Sequence, residues 1–174
     1  MASCVSVKGR LEQAEKYKTE GNEHFRQKAY RKAIKKYHFA LLQVKDISVK
    51  VTASGITKDA CNQTEKENAE QISKGCHNNL AACFVKTESW DKVIEYTTKV
   101  LEGESQNVKA LFRRGQAWYN KRDYEKAHDD LTLAQQLEPS DSSIRIHLNA
   151  CRKALKDSGK REKQMYAAMF SSVR

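Results

Sequence analysis

Proline occurs once, at Pro139, and glycine only seven times in 174 residues. An all-β sandwich or barrel needs far more turn residues than that, so the chain is read as mostly helical. No apolar run approaches the roughly 20 residues that span a bilayer, which predicts no membrane span. The first residues, MASCVSVKGRLEQ, lack an apolar secretory core, and no signal peptide is expected. Phosphate-loop, dinucleotide, zinc-protease and nucleophile-elbow motifs are all missing. The five histidines (His24, His38, His77, His128, His147) are scattered, and none forms a nucleophile–base pair in the sequence. Catalysis is therefore not expected, and no cofactor is implied. The five cysteines (Cys4, Cys61, Cys76, Cys83, Cys151) form no C-x-x-C and no zinc spacing, so no metal site is expected. Reduced thiols in a cytoplasmic protein are the expectation, with nuclear presence compatible. Cys76 and Cys83, seven apart on one helical face, read as core.

What the chain has in excess is positive charge: 32 Lys+Arg against 22 Asp+Glu, a net of +10. Residues 1–50 carry net +7, residues 51–105 net −3 and residues 106–174 net +6. Such a balance points to an anionic partner without choosing its kind.

A ladder of offsets organises the chain. Gly21 is followed at +9, +12, +16 and +19 by Tyr30, Ala33, Tyr37 and Ala40. Gly115 is followed at the same offsets by Tyr124, Ala127, Leu131 and Ala134, and Ala81 by Trp90, Val93, Thr97 and Val100. Ala81 and Gly115 are 34 residues apart. A small residue lets two antiparallel helices approach, the +9 aromatic opens the second helix, and the later positions face the partner at helical periodicity. Such pairs bury their apolar faces only by stacking. This pattern resembles the tetratricopeptide repeat (TPR) family over residues 11–139. Departures are Ala81 for the usual glycine and Thr97 for a usual large residue. Only the third copy has the closing proline, Pro139.

The resemblance implies an all-α fold of three helix-turn-helix repeats (14–47, 74–107, 108–141), stacked as a right-handed superhelix with a C-terminal capping helix. Residues 1–10 are expected to be a flexible N-terminus. Gly21 to Ala81 is 60 residues, 26 more than one repeat, which predicts an insertion at about 46–68. Part of it reads as loop, flanked by a lengthened second helix and a lengthened third. After Pro139, Ile144, Ile146, Leu148 and Leu155 predict a capping helix over 141–157. Gly159 is expected to interrupt the basic tail beyond it, and the tail is expected to pack on the last repeat.

On the expected first helices, Lys18 and Asn22 are four apart, as are Lys109 and Arg113, so each pair shares a face. Asn79 and Arg113 both lie two residues before their copy's small residue. Three cations and two amides in one groove suit a carboxylate-bearing ligand, because arginine forks onto carboxylates and asparagine supplies donors. These five residues resemble, one by one, the carboxylate clamp of TPR co-chaperones. That resemblance implies binding of the acidic C-terminal Glu-Glu-Val-Asp peptide of a cytosolic heat-shock chaperone, the ninety-kilodalton class favoured over the seventy. The terminal aspartate would meet Lys18, Asn22, Asn79 and Lys109, Arg113 would help hold the peptide, and Ala82 would leave room for the valine.

Tyr37-His38-Phe39-Ala40-Leu41-Leu42-Gln43, the insertion, and the ending Arg161-Glu162-Lys163-Gln164-Met165-Tyr166 with Met169-Phe170 resemble the tetratricopeptide repeat protein nine family. They are also similar to the TPR domain of large immunophilins, whose isomerase domain has no counterpart in this chain. Two other partners compete. A basic amphipathic stretch at 151–170, with Leu155, Met165, Met169 and Phe170 as anchors, is a candidate calmodulin or membrane-surface target. Nucleic acid is disfavoured: Lys28, Arg31, Lys32, Lys35 and Lys36 fall on an outer helix without interleaved stacking aromatics.

Overall fold

A computed structural model describes residues 6–45, 47 and 62–171. Among them are seven helices and no strand: α1 Val7–Arg26, α2 Tyr30–Val44, α3 Gln63–Lys86, α4 Trp90–Gly103, α5 Val108–Asn120, α6 Tyr124–Leu137 and α7 Ser142–Ser171. The chain divides into two compact units, residues 1–92 and 93–174.

In the first unit α1 packs on α2, and both pack on α3. The ladder residues form its core: Ala33, Tyr37 and Ala40 from α2 are buried, with Leu11 and Ala14 from α1 and Ile72, Cys76 and Leu80 from α3. Gly21 lies flat against Tyr37, so close that a Cβ there would sit 2.6 Å from Cε1 of the ring. The second unit repeats the device with different chemistry. A Cβ on Gly115 would sit 2.7 Å from Leu131 Cγ. Around that contact, Val100, Leu101, Ala110, Leu111, Ala134 and Ile144 form one buried cluster, and Ala127, Leu131, Leu148 and Cys151 another.

The hairpin turns share a feature that glycine counting misses. Lys28, Glu88 and Arg122 have positive φ of 58°, 54° and 65°. Each stands seven residues after its copy's small residue. Each turn closes the preceding helix with a left-handed residue followed by a six-to-one bond. Those bonds are Ala29 N to His24 O, Ser89 N to Phe84 O and Asp123 N to Trp118 O, at 2.9, 2.9 and 3.0 Å. The inner bonds recur too: Lys28 N to Phe25 O, Glu88 N to Val85 O and Arg122 N to Tyr119 O. The same C-cap in three copies gives each hairpin the same local closure.

Several expected boundaries change. Of the N-terminus expected to be flexible, residues 1–5 lie outside the described residues and 7–10 are helical: Ser6 Oγ accepts from Gly9 N at 3.2 Å, and Arg10 Nε donates to Gln43 O at 3.0 Å, tying α1 to the end of α2. The second helix is not lengthened. It has 15 residues against 14 in α4 and α6, and the extra length lies in α1, with 20, and α3, with 24. The insertion placed at 46–68 falls largely outside the described residues. Its end, from Gln63, is the first turn and a half of α3, begun by a capping box in which Asn62 Oδ1 accepts from Glu65 N and Glu65 Oε2 from Asn62 N.

Pro139 follows the α6 C-cap at Glu138, where a residue that cannot continue a helix belongs. The capping helix does not stop near 157. α7 runs 30 residues through Gly159, because a lone glycine costs a helix interior only about 1 kcal/mol. Nor does the tail pack on the last repeat: residues 160–169 are all exposed, Met165, Tyr166 and Met169 by more than half. No helix among the described residues is long and apolar enough to cross a membrane.

Candidate functional site

In the first unit the packing of α1 on α3 gathers three of the sequence-chosen residues. Asn79 Nδ2 donates to Asn22 Oδ1 at 2.9 Å, joining amides 57 residues apart in sequence. Lys18 lies one helical turn before Asn22, and its Cε would be 3.4 Å from a Cβ on Gly75, one turn before Asn79. The four positions therefore form two facing rows, with glycine opposite the lysine stem leaving it room. Lys18, Asn22 and Asn79 are half-buried, open enough to meet a ligand.

Two further residues complete this cluster and were not singled out from sequence. Tyr37, buried on α2, donates its hydroxyl to Asn22 Oδ1 at 2.8 Å. Glu15 takes the Lys18 ammonium on both oxygens, at 3.1 and 3.3 Å. The Glu-x-x-Lys spacing was a visible signal for the second. The first had none beyond its place in the ladder, where it reads as packing.

Beneath the cluster, burial pushes the Cys76 thiol up to about 12, the Lys18 ammonium opposing and Glu15 reinforcing. Burial also raises the Tyr37 phenol, with Cys83 and Cys76 adding to it and the Asn79 amide opposing. Ala82, half-buried, lies on α3 one residue past Ala81.

In the second unit Lys109 and Arg113 stand one turn apart on α5, Lys109 exposed and Arg113 half-buried. The helix that carries them starts at Asn107, whose side chain accepts from Ala110 N at 3.0 Å. Arg114, next to Arg113, turns the other way. Its Nε and Nη2 fork onto both oxygens of Asp130 at 2.8 Å, and its Nη1 reaches Thr98 at 3.4 Å. Asp130 is buried, so this pair fastens α5 to α6.

One turn after Phe112, Gln116 meets the His147 ring at 3.0 Å. The other ring nitrogen, Nδ1, faces Ser143 O at 2.8 Å. A carbonyl only accepts, so Nδ1 carries the proton and Nε2 accepts from Gln116. No group of His, Cys, Asp and Glu suited to a metal occurs among the described residues.

Comparison with known proteins identifies the repeat. A family model described as tetratricopeptide repeat matches residues 108–141. The chain is 32% identical over 166 residues to tetratricopeptide repeat protein 9C of Xenopus tropicalis, covering 92% of this chain and 93% of that protein. The chain belongs to the tetratricopeptide repeat protein 9 family. As a TPR protein it is a protein–protein interaction domain.

Two solved structures carry the likeness further. The C-terminal TPR-containing domain of a Plasmodium falciparum FK506-binding protein superposes with a TM-score of 0.78 at 29% identity, over 89% of this chain and 96% of that one. The myosin chaperone UNC-45 of C. elegans, in complex with an Hsp90 peptide, superposes with a TM-score of 0.69 at 26% identity, over 87% of this chain and 15% of that one.

Proposed function

We propose that this TPR 9 family protein is a co-chaperone adaptor, working in the cytoplasm, that binds the acidic Glu-Glu-Val-Asp C-terminus of a heat-shock chaperone. Lys18, Asn22, Asn79, Lys109 and Arg113 would form its carboxylate clamp. The observation that carries the reading is the 2.9 Å bond between Asn22 and Asn79 with Lys18 beside it. Residues chosen from helical register and the resemblance to the clamp meet across two helices as a half-buried polar group. The UNC-45 relative, which shares the fold over most of this chain, is described in complex with an Hsp90 peptide. That supports the ninety-kilodalton class as the partner.

The mechanism is electrostatic capture by an excess of positive charge, followed by hydrogen bonding of the terminal carboxylates to ammonium, guanidinium and amide donors. Each charge-assisted bond contributes about 1.5–3 kcal/mol, and ordering the peptide offsets much of the sum, giving an affinity of order micromolar. Titration with a peptide ending in Glu-Glu-Val-Asp tests this. Amidating the peptide's C-terminus, or making Lys18→Ala, Lys109→Ala or Arg113→Ala, should each weaken binding by roughly tenfold or more. Equal affinity for the free-acid and amidated peptides would end the reading.

The exposed Met165, Tyr166 and Met169 on a basic helix favour a second, compatible reading, capture by calmodulin or a similar acidic groove. A peptide spanning residues 151–171 that fails to bind calcium-loaded calmodulin would remove it.

A further inference from the structure

We propose that Tyr37 is a positioning residue for peptide recognition: its hydroxyl, bonded to Asn22 Oδ1, turns the Asn22 amide so that the NH2 group faces an incoming carboxylate. This rests on the carboxylate-clamp reading above. An asparagine amide has two donors at one end and an acceptor at the other, and only the donor end suits an anion. Which end faces outward is set by its neighbours. Here two donors converge on Oδ1, the Tyr37 hydroxyl at 2.8 Å and Asn79 Nδ2 at 2.9 Å. A flipped amide would set N–H against N–H at Asn79 and would leave the buried hydroxyl without its acceptor, a costly arrangement.

The hydroxyl itself is held in place by backbone. The Tyr37 ring lies so close to Gly21 that no side chain fits between them, and Gly21 is the residue before Asn22. One ring thus closes the helix pair and reaches the neighbouring amide. Burial keeps the phenol protonated through the physiological range, so it remains a donor.

Comparison of the copies shows that the hydroxyl is not there for packing. At the position of Tyr37 the third copy has Leu131, which fills the same place beneath Gly115. The residue matching Asn22 is then Gln116, and it turns to His147 instead. The second copy has Thr97, whose hydroxyl donates to Val93 O in its own helix, and Ala82 in place of Asn22. A tyrosine hydroxyl appears only in the copy whose next position carries an asparagine.

The test is peptide titration of the full chain with Tyr37→Phe, Asn22→Ala and the double variant, using free-acid and amidated Glu-Glu-Val-Asp peptides. Losing one hydrogen bond's worth of orientation should weaken free-acid binding in Tyr37→Phe about three- to tenfold. Binding of the amidated peptide should change little. In the Asn22→Ala background, adding Tyr37→Phe should change affinity less than about twofold, because the two act through one contact. Tyr37→Leu, the side chain of the third copy, should lose binding to the same degree and guards against an effect peculiar to phenylalanine. Wild-type affinity in Tyr37→Phe, or an equal further loss on top of Asn22→Ala, would overturn the positioning role. If Lys18→Ala and Asn22→Ala themselves bind like wild type, the clamp has failed and the role of Tyr37 falls with it. Loss in those two with normal binding in Tyr37→Phe rejects the positioning role alone.

Discussion

The three left-handed turn residues offer a quantitative check on the repeat geometry. Lys28, Glu88 and Arg122 are exposed, so their side chains contribute little packing. Their backbones, at φ between 54° and 65°, occupy a region that costs an L-residue roughly 1–2 kcal/mol. Glycine removes that cost but gains freedom in the unfolded chain, an offset of about 0.5–1 kcal/mol. The net gain is about 0.5–1 kcal/mol per turn. The turns share no partners, so Lys28→Gly, Glu88→Gly and Arg122→Gly should add, giving about 1.5–3 kcal/mol together. For a chain of this size that raises the melting temperature by roughly 3–12 °C.

Thermal unfolding followed by helical circular dichroism reads the shift directly. The matched control is the triple alanine variant, which removes the same side chains but keeps the Cβ. It should melt near wild type. A glycine variant that melts at or below the alanine one would mean that these residues do not hold left-handed geometry in solution, and the shared C-cap would be wrong.

Three other outcomes are expected. Glu15 holds the Lys18 ammonium in the unliganded protein, so a peptide carboxylate must displace it. Glu15→Gln should therefore tighten binding of a Glu-Glu-Val-Asp peptide about two- to fivefold at low ionic strength, with the gain shrinking as salt rises; unchanged affinity would show that this pair does not compete. Cys76 has its thiol pushed up to about 12 from an ordinary value of 9.0. A raised acid keeps its full stabilising effect below the unfolded pKa and loses it as pH climbs, so stability should decline between about pH 9 and 12, and less steeply in Cys76→Ala. At pH 8 the same thiol should resist alkylation until the first unit unfolds.

Much of the fold was legible because the positions that recur between copies are contact positions. The Gly21–Tyr37 and Gly115–Leu131 contacts are the zero and +16 positions of the ladder, and a close approach of helices leaves few residue types able to fill them. The turns were not legible as such. Their left-handed residues are lysine, glutamate and arginine, and a costly conformation is tolerated there because the two closing hydrogen bonds and the helix packing on either side hold it. The course of α7 was misjudged for a related reason: Gly159 is a weak breaker when capping signals are absent around it.

At the site, Lys18, Asn22 and Asn79 could be chosen because register places side chains on faces. Register does not say what lies below a face, and Tyr37 was therefore invisible as a partner of that group, whereas Glu15 could have been found from its spacing to Lys18. Arg114 and Asp130 show the same limit. Asp129-Asp130 reads as a solvated acidic pair, and only the packing of α6 on α5 separates an exposed member from a buried one.

The start of α3 has a practical consequence. Asn62 and Glu65 satisfy each other's backbone donors, so the helix begins by a contact made entirely within its own first turn. Asn62→Ala should therefore fray the first turn of α3 at a cost of about 1 kcal/mol while leaving Asn79, far down the same helix, in place.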